Sequence, residues 1–116
     1  MPESKTSLGK HGEDLSAEFL ASNNYSIIER NFRKRYGELD IIASKDEVLY
    51  AIEVKYRQQI DEDFHPINVM NTKKMLRMRK VIETYINAHT QFNAINISFC
   101  LITVDEKGKV DFYSDL

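Results

Sequence analysis

Apolar and polar positions change period along the chain, and the changes mark out seven elements. From residue 9 to 22, Leu15, Phe19 and Leu20 fall on one stripe of a 3.6-residue repeat, which predicts a helix. Gly9 and Gly12 stand at its front, where helix interiors disfavour glycine, so the start can fall as late as Gly12. Ser22-Asn23-Asn24 reads as its stop. Residues 25–32 carry β-branched and aromatic side chains in imperfect alternation and predict a strand. The basic run after it and Tyr36-Gly37 predict a turn. Residues 38–43 and 47–57 predict two more strands joined by a polar turn at Ser44–Glu47, which completes an antiparallel meander.

Residues 58–65 are polar and acidic and predict a loop. Pro66 suits the first position of a helix. Ile67, Met75, Met78, Ile82, Tyr85 and Ile86 then recur mostly at three- and four-residue steps, which predicts one apolar helix face over 67–88. The run 94–104 is short, apolar and β-rich, a buried strand. Lys107-Gly108 predicts a turn and residues 110–113 an edge strand. The order is α-β-β-β-α-β-β, an α/β chain with helices flanking a mixed sheet. No repeat and no shift of composition divides it, so residues 1–116 read as one domain.

Three charged residues break this apolar pattern where it is strongest. Asp40 lies inside the second strand, and Glu53 and Lys55 inside the third. Strand side chains alternate faces, so Glu53 and Lys55 share one face while Ile52, Val54 and Tyr56 share the other. Unpaired charges are costly to bury, so charges in such strands need a reason. If the two strands pair as a hairpin, Asp40 comes close to Glu53. Two carboxylates suit a hard divalent cation such as Mg²⁺, which typically takes one or two of them and keeps several waters. The carbonyl of Val54 offers a further oxygen. Such an ion makes water a usable nucleophile near neutral pH. Lys55 then orients that water or stabilises charge on a phosphate. The competing reading is a set of salt bridges on a solvated face, and spacing alone does not separate the two. Glu13, in the first helical turn, reads either as a dipole-complementing acid or as a third acid for the site.

Composition narrows the classes without choosing among them. An apolar fraction of 42% with 4 Gly and 2 Pro fits an ordered domain. No apolar run approaches the roughly 18 residues of a membrane span, and the polar start of the chain lacks a signal-peptide core. The single cysteine, Cys100, sits in an apolar run and reads as a core residue in a reducing compartment, so a cytoplasmic location is expected. The net charge of -2 argues against nucleic-acid binding only weakly, because the cations cluster. Arg30, Arg33, Lys34 and Arg35 form one run; Lys73, Lys74, Arg77, Arg79 and Lys80 form another, read as partly opposite the apolar face.

The motifs Gly9-x-x-Gly12-Glu13, Asn31-Phe32-Arg33, Gly37-Glu38-Leu39-Asp40 and Glu53-Val54-Lys55-x-Arg57, with Lys74, Tyr85 and Ile86 further on, resemble the YraN-like family of small bacterial proteins. That family is similar to archaeal Holliday junction resolvases within the restriction-endonuclease-like superfamily. The likeness covers roughly residues 9–86. It implies a restriction-endonuclease-like sheet and a nuclease-like domain. Glu13, Asp40, Glu53 and Lys55 then fall on catalytic positions, with the three acids as ligands for Mg²⁺ or Mn²⁺. Arg33 and Arg57 become phosphate contacts, alongside Lys34, Arg35 and Lys74 as nucleic-acid-binding candidates. The implied partner is DNA, branched or otherwise non-duplex, with homodimerisation plausible from the resolvase likeness. Two positions depart from the pattern: Leu39 stands where the superfamily has proline, and Ile97-Ser98-Phe99 replaces an Arg-Phe-Asp of the fourth main strand. A non-cleaving nucleic-acid module and a partner-binding structural domain are the alternatives.

Overall fold

The computed structural model describes residues 5–57, 64–93 and 95–116. Helix α1 (Lys5–Ser22) begins ahead of the expected start and holds both Gly9 and Gly12 inside it. Glycine costs a helix interior about 1 kcal/mol relative to alanine. Gly12 is buried over Val104 and Tyr56, where an added Cβ would stand in ordinary contact, 3.8 Å and 4.0 Å from theirs.

Strands β1 (Ser26–Lys34), β2 (Gly37–Lys45) and β3 (Val48–Arg57) form the expected antiparallel meander. Its turns are tighter than the polarity pattern suggests. Lys34 pairs with Gly37 and Lys45 with Val48, leaving two-residue loops at Arg35-Tyr36 and Asp46-Glu47. Asp46 and Glu47 both adopt positive φ, 51° and 64°, as the twist-matched hairpin turns require. Arg33 and Lys34 are therefore strand residues and not part of a separate basic turn.

A parallel partner for β3 requires a crossover, and helix α2 (Thr72–Ala88) supplies it. Strand β4 (Asn96–Asp105) then runs parallel to β3 along its whole length, and β5 (Val110–Tyr113) pairs antiparallel at the edge. The sheet order is β1-β2-β3-β4-β5. The two helices cover opposite faces. On one, Met78, Val81, Ile82 and Tyr85 of α2 pack with Leu39, Ile42, Leu49, Ala51, Phe99 and Leu101. On the other, Leu20, Leu15 and Phe19 of α1 pack with Ile41, Ala43, Ile52, Cys100, Ile102 and Val104. Cys100 is buried as expected, and burial pushes its thiol up to about 11.

The second helix starts later than its stripe suggests. Pro66 opens a separate 3₁₀ turn, Pro66–Asn68, which puts Ile67 64% exposed and off the apolar face. The α-helix starts at Thr72, where the Asn71 side chain accepts the Lys74 N–H at 2.9 Å. The expected loop at 58–65 is described only at Phe64 and His65, and Ala94, the expected start of the buried strand, also lies outside the described residues. Among the described residues no helix is long and apolar enough to cross a membrane.

Helix α2 packs closely over Gly37, where an added Cβ would stand 3.1 Å from Val81 Cγ2 and 3.7 Å from Arg77 Cβ. Overpacking of this kind costs about 1–3 kcal/mol. Gly37→Ala is expected to lower stability by about 1–2 kcal/mol in urea unfolding, and Val81→Ala in the same chain to recover part of that loss. Equal stability of Gly37→Ala and wild type would refute the close approach.

Candidate active site at a break in the sheet

Positions two apart in a regular strand share a face. Strand β2 departs from this rule at Asp40: Ile41 and Ala43 lie in the α1-side core, whereas Leu39 lies in the α2-side core. Strand β1 changes phase at the same level. Arg30 reaches α1, where its Nη2 donates to Asp14 Oδ1 at 2.7 Å, while Phe32 packs on the α2 side. Asn31 between them has φ 55°, a conformation asparagine tolerates better than most residues. The register sets Arg30 opposite Ile41 and Phe32 opposite Leu39, so Asn31 and Asp40 stand level.

The β2–β3 ladder ends at Ile41 opposite Ile52. Just beyond it the Val54 N–H donates to Asp40 Oδ2 at 2.7 Å, so a side chain becomes the strand's acceptor. Asp40 is thereby fixed to the backbone next to Glu53. Both carboxylates open into a cleft of about 420 Å³ between the β1–β2 hairpin and α2. Its lining carries three acids, Glu38, Asp40 and Glu53, and three cations, Arg35 on the hairpin and Lys74 and Arg77 on α2. Lys74 Nζ lies 2.7 Å from Glu53 Oε1. Burial, followed by the charge of Glu53, raises the Asp40 carboxyl from 3.8 to about 7, and Glu13 and Glu38 push the same way against the Val54 hydrogen bond.

Glu13 belongs to the neighbouring layer. Its carboxylate is 3.8 Å from Arg30 Nη2, and with the Asn31 amide turned to donate, that nitrogen lies 3.2 Å from both Glu13 oxygens. Burial raises the Glu13 carboxyl, opposed by Arg30 and Asn31. Glu13 is felt at Asp40 as charge but does not line the cleft. Among the described residues no three His, Cys, Asp or Glu side chains converge as a ligand group.

Lys55 is exposed and also outside the cleft lining. Alternation sets it on the Glu53 face of β3. The expected nucleic-acid contacts divide. Arg35 and Lys74 line the cleft, Lys74 being already paired. Arg33 Nη2 is 3.3 Å from Glu38, Lys34 stands 5.1 Å over the Phe32 ring, and Arg57 3.8 Å over the Phe64 ring. The sequence reading assigned no role to Glu38 or Asn31 and included Arg77 only in a basic run. A signal existed for Arg77: Lys74, Arg77 and Met78 stand at i, i+3 and i+4, hence on one helix face.

Residues 12–104 match the family described as "Uncharacterised protein family UPF0102". A UPF0102 protein of Leptospira interrogans is 36% identical over 116 residues, covering 100% of this chain and 99% of its own. One from Dictyoglomus turgidum is 36% identical over 104 residues, covering 89% of this chain and 87% of its own. One from Campylobacter jejuni is 42% identical over 74 residues, 64% of this chain and 63% of its own. The family match runs through the phase break and every residue lining the cleft, and the relatives align along most or all of the chain: it belongs to the UPF0102 family, the YraN-like family its motifs resemble.

Proposed function

We propose that the chain is a divalent-metal-dependent endonuclease that hydrolyses DNA phosphodiester bonds, with branched or otherwise non-duplex DNA as the substrate class suggested by the resolvase resemblance. The observation that carries this reading is the mixed lining of the cleft: Asp40 and Glu53 border, together with Arg35, Lys74 and Arg77, one space open to solvent. The donor set fits Mg²⁺ or Mn²⁺. Two carboxylates match what Mg²⁺ takes from protein, and burial, followed by the charge of Glu53, raises the Asp40 carboxyl, which a bound cation would hold ionised. Asp40 and Glu53 would hold the ion, with Glu13 adding charge from the next layer. When bound, it supplies Lewis-acid polarisation of a phosphoryl oxygen.

The chain's own groups have separate tasks. Arg35 and Arg77 hold the phosphate by charge, fixing the phosphorus over the acids. The Val54 N–H holds Asp40 in one orientation. Lys55 orients the attacking water or stabilises charge on the phosphate. Hydrolysis joins the water oxygen to phosphorus and breaks one P–O ester bond. One water proton ends on the leaving oxygen and the other on the new phosphate monoester. A second reading, a nucleic-acid module that does not cut, is favoured by the position of Lys55 outside the cleft lining.

The deciding experiment is a cleavage assay over linear, nicked, flapped and four-way DNA with Mg²⁺, Mn²⁺ or chelator. Cleavage that needs the ion supports the nuclease; salt-sensitive binding without cleavage supports the module. Asp40→Asn and Glu53→Gln are expected to lose cleavage by about 100-fold or more and to weaken ion binding in calorimetry. Lys55→Ala is expected to lose cleavage to a similar degree while keeping the ion. If Lys55→Ala cuts at the wild-type rate, the lysine is not catalytic and the mechanism is wrong.

The raised Asp40 carboxyl also sets a pH dependence. Between 3.8 and about 7 the folded chain holds this proton more tightly than the unfolded chain, so the contribution to stability is full below 3.8 and lost as pH rises through about 7. Asn keeps an acceptor for Val54 and removes the charge. Asp40→Asn is therefore expected to be more stable than metal-free wild type at pH 8, by on the order of 1–2 kcal/mol, and to lose that advantage near pH 4. Melting curves at the two pH values check this; an advantage independent of pH would remove the titration of Asp40 as its cause.

A further inference from the structure

Lys74 stands at the third residue of α2, inside the first helical turn. That turn carries Lys73 and Lys74 and no acid. Cations are disfavoured at a helix N-terminus, where the exposed N–H groups already carry partial positive charge. Lys74 therefore does not serve the helix that bears it. Its ammonium is directed across the cleft to Glu53 Oε1 at 2.7 Å, with both side chains partly exposed. The ammonium thus occupies an oxygen that the nuclease reading requires for the divalent ion. It does so on a long, unbranched side chain that swings with little steric hindrance.

We propose that Lys74 is a resident surrogate cation whose release from Glu53 couples divalent-ion binding to phosphate binding. This inference rests on the nuclease reading above and assigns a regulating role within the same site. In the free protein the Lys74 ammonium neutralises Glu53 and so competes with an incoming ion. An ion alone has to displace Lys74 within a cleft that already holds Arg35 and Arg77, where cations repel one another. A phosphate alone meets a set of cations from which Lys74 is withheld. When both arrive, the ion takes Glu53 and the ammonium turns to the phosphate, so each ligand removes the obstacle to the other. Coupling of this kind is reciprocal, and the ion and the phosphate tighten one another by the same factor. The site thereby holds its ion weakly until a phosphodiester is present.

The test measures Mn²⁺ affinity by calorimetry for wild type, Lys74→Met, Lys74→Gln and Lys74→Arg, with and without an eight-nucleotide phosphorothioate DNA, after subtracting Mn²⁺ titrated into DNA alone. Melting curves confirm that each variant is folded. In wild type the DNA is expected to tighten Mn²⁺ by about tenfold, and Mn²⁺ to tighten DNA equally in fluorescence anisotropy. Lys74→Met and Lys74→Gln are expected to bind Mn²⁺ about tenfold tighter than wild type without DNA, and to lose most of the coupling. Lys74→Arg is expected to keep it in part. A lysine that only braced the fold would do the opposite, because its removal would loosen the site and weaken Mn²⁺. If wild type takes up Mn²⁺ and the Met and Gln variants bind no tighter, the surrogate role is overturned and the nuclease reading survives. If neither wild type nor any variant takes up Mn²⁺ with or without DNA, the metal-dependent reading falls and the surrogate role falls with it.

Discussion

A carboxylate held where a β-ladder gives out is the constraint on which the rest of this structure turns. Backbone donors in a sheet interior have to be satisfied, and the Val54 N–H lies beyond the last β2–β3 pair. Asp40 satisfies it with a side chain, which is possible only because β2 changes phase there. The shift in β2 is matched by one in β1, where Asn31 takes the left-handed conformation. Leu39 and Phe32 can then pack towards α2 while Ile41 and Arg30 stay on the α1 side. One local irregularity thus joins the packing of both cores to the position of one acid.

Charge in the region is divided between layers. The acids sit on the hairpin and on β3; the cations beside them come from the turn at Arg35 and from α2. Because Met78 and Val81 are buried on the same helix that carries Lys74 and Arg77, those two cations are attached to core packing. Glu13 sits behind the site, braced by Arg30 and Asn31, and contributes to Asp40 through its field. Arg30 also leaves its buried Nε without a partner in this arrangement, so the bracing group is itself incompletely satisfied.

Much of the fold was legible in periodicity. The meander, the crossover helix, the buried fourth strand and the edge strand follow from runs of two-fold and 3.6-fold repeat. What escaped was local. Ile67 fits the helical stripe by spacing, but Pro66 and the Asn71 cap separate it into a turn of its own. In the site, Asp40 and Glu53 stood out because charge in an apolar strand is conspicuous, and the hairpin brings them together. Period-two reasoning assumes that a strand never changes phase, so it could not anticipate the break at Asn31 and Asp40. The Lys74–Glu53 pair escaped for a different reason: it joins residues twenty-one apart through a helix rotation that the apolar stripe fixes only coarsely.

The parallel pairing of β3 with β4 has a consequence for the order in which the molecule assembles. The three strands of the meander are contiguous in sequence, so their contacts can close early. β3, which carries Glu53 and Lys55, gains its second neighbour only after α2 has crossed the sheet and residues 96–105 have been made. Non-local parallel pairing is slow, and an unpaired strand edge is a template for association with another chain. On a ribosome, then, the strand that bears the candidate chemistry stays an open, apolar edge until residues 96–105 have emerged, an interval in which that edge is available to other chains.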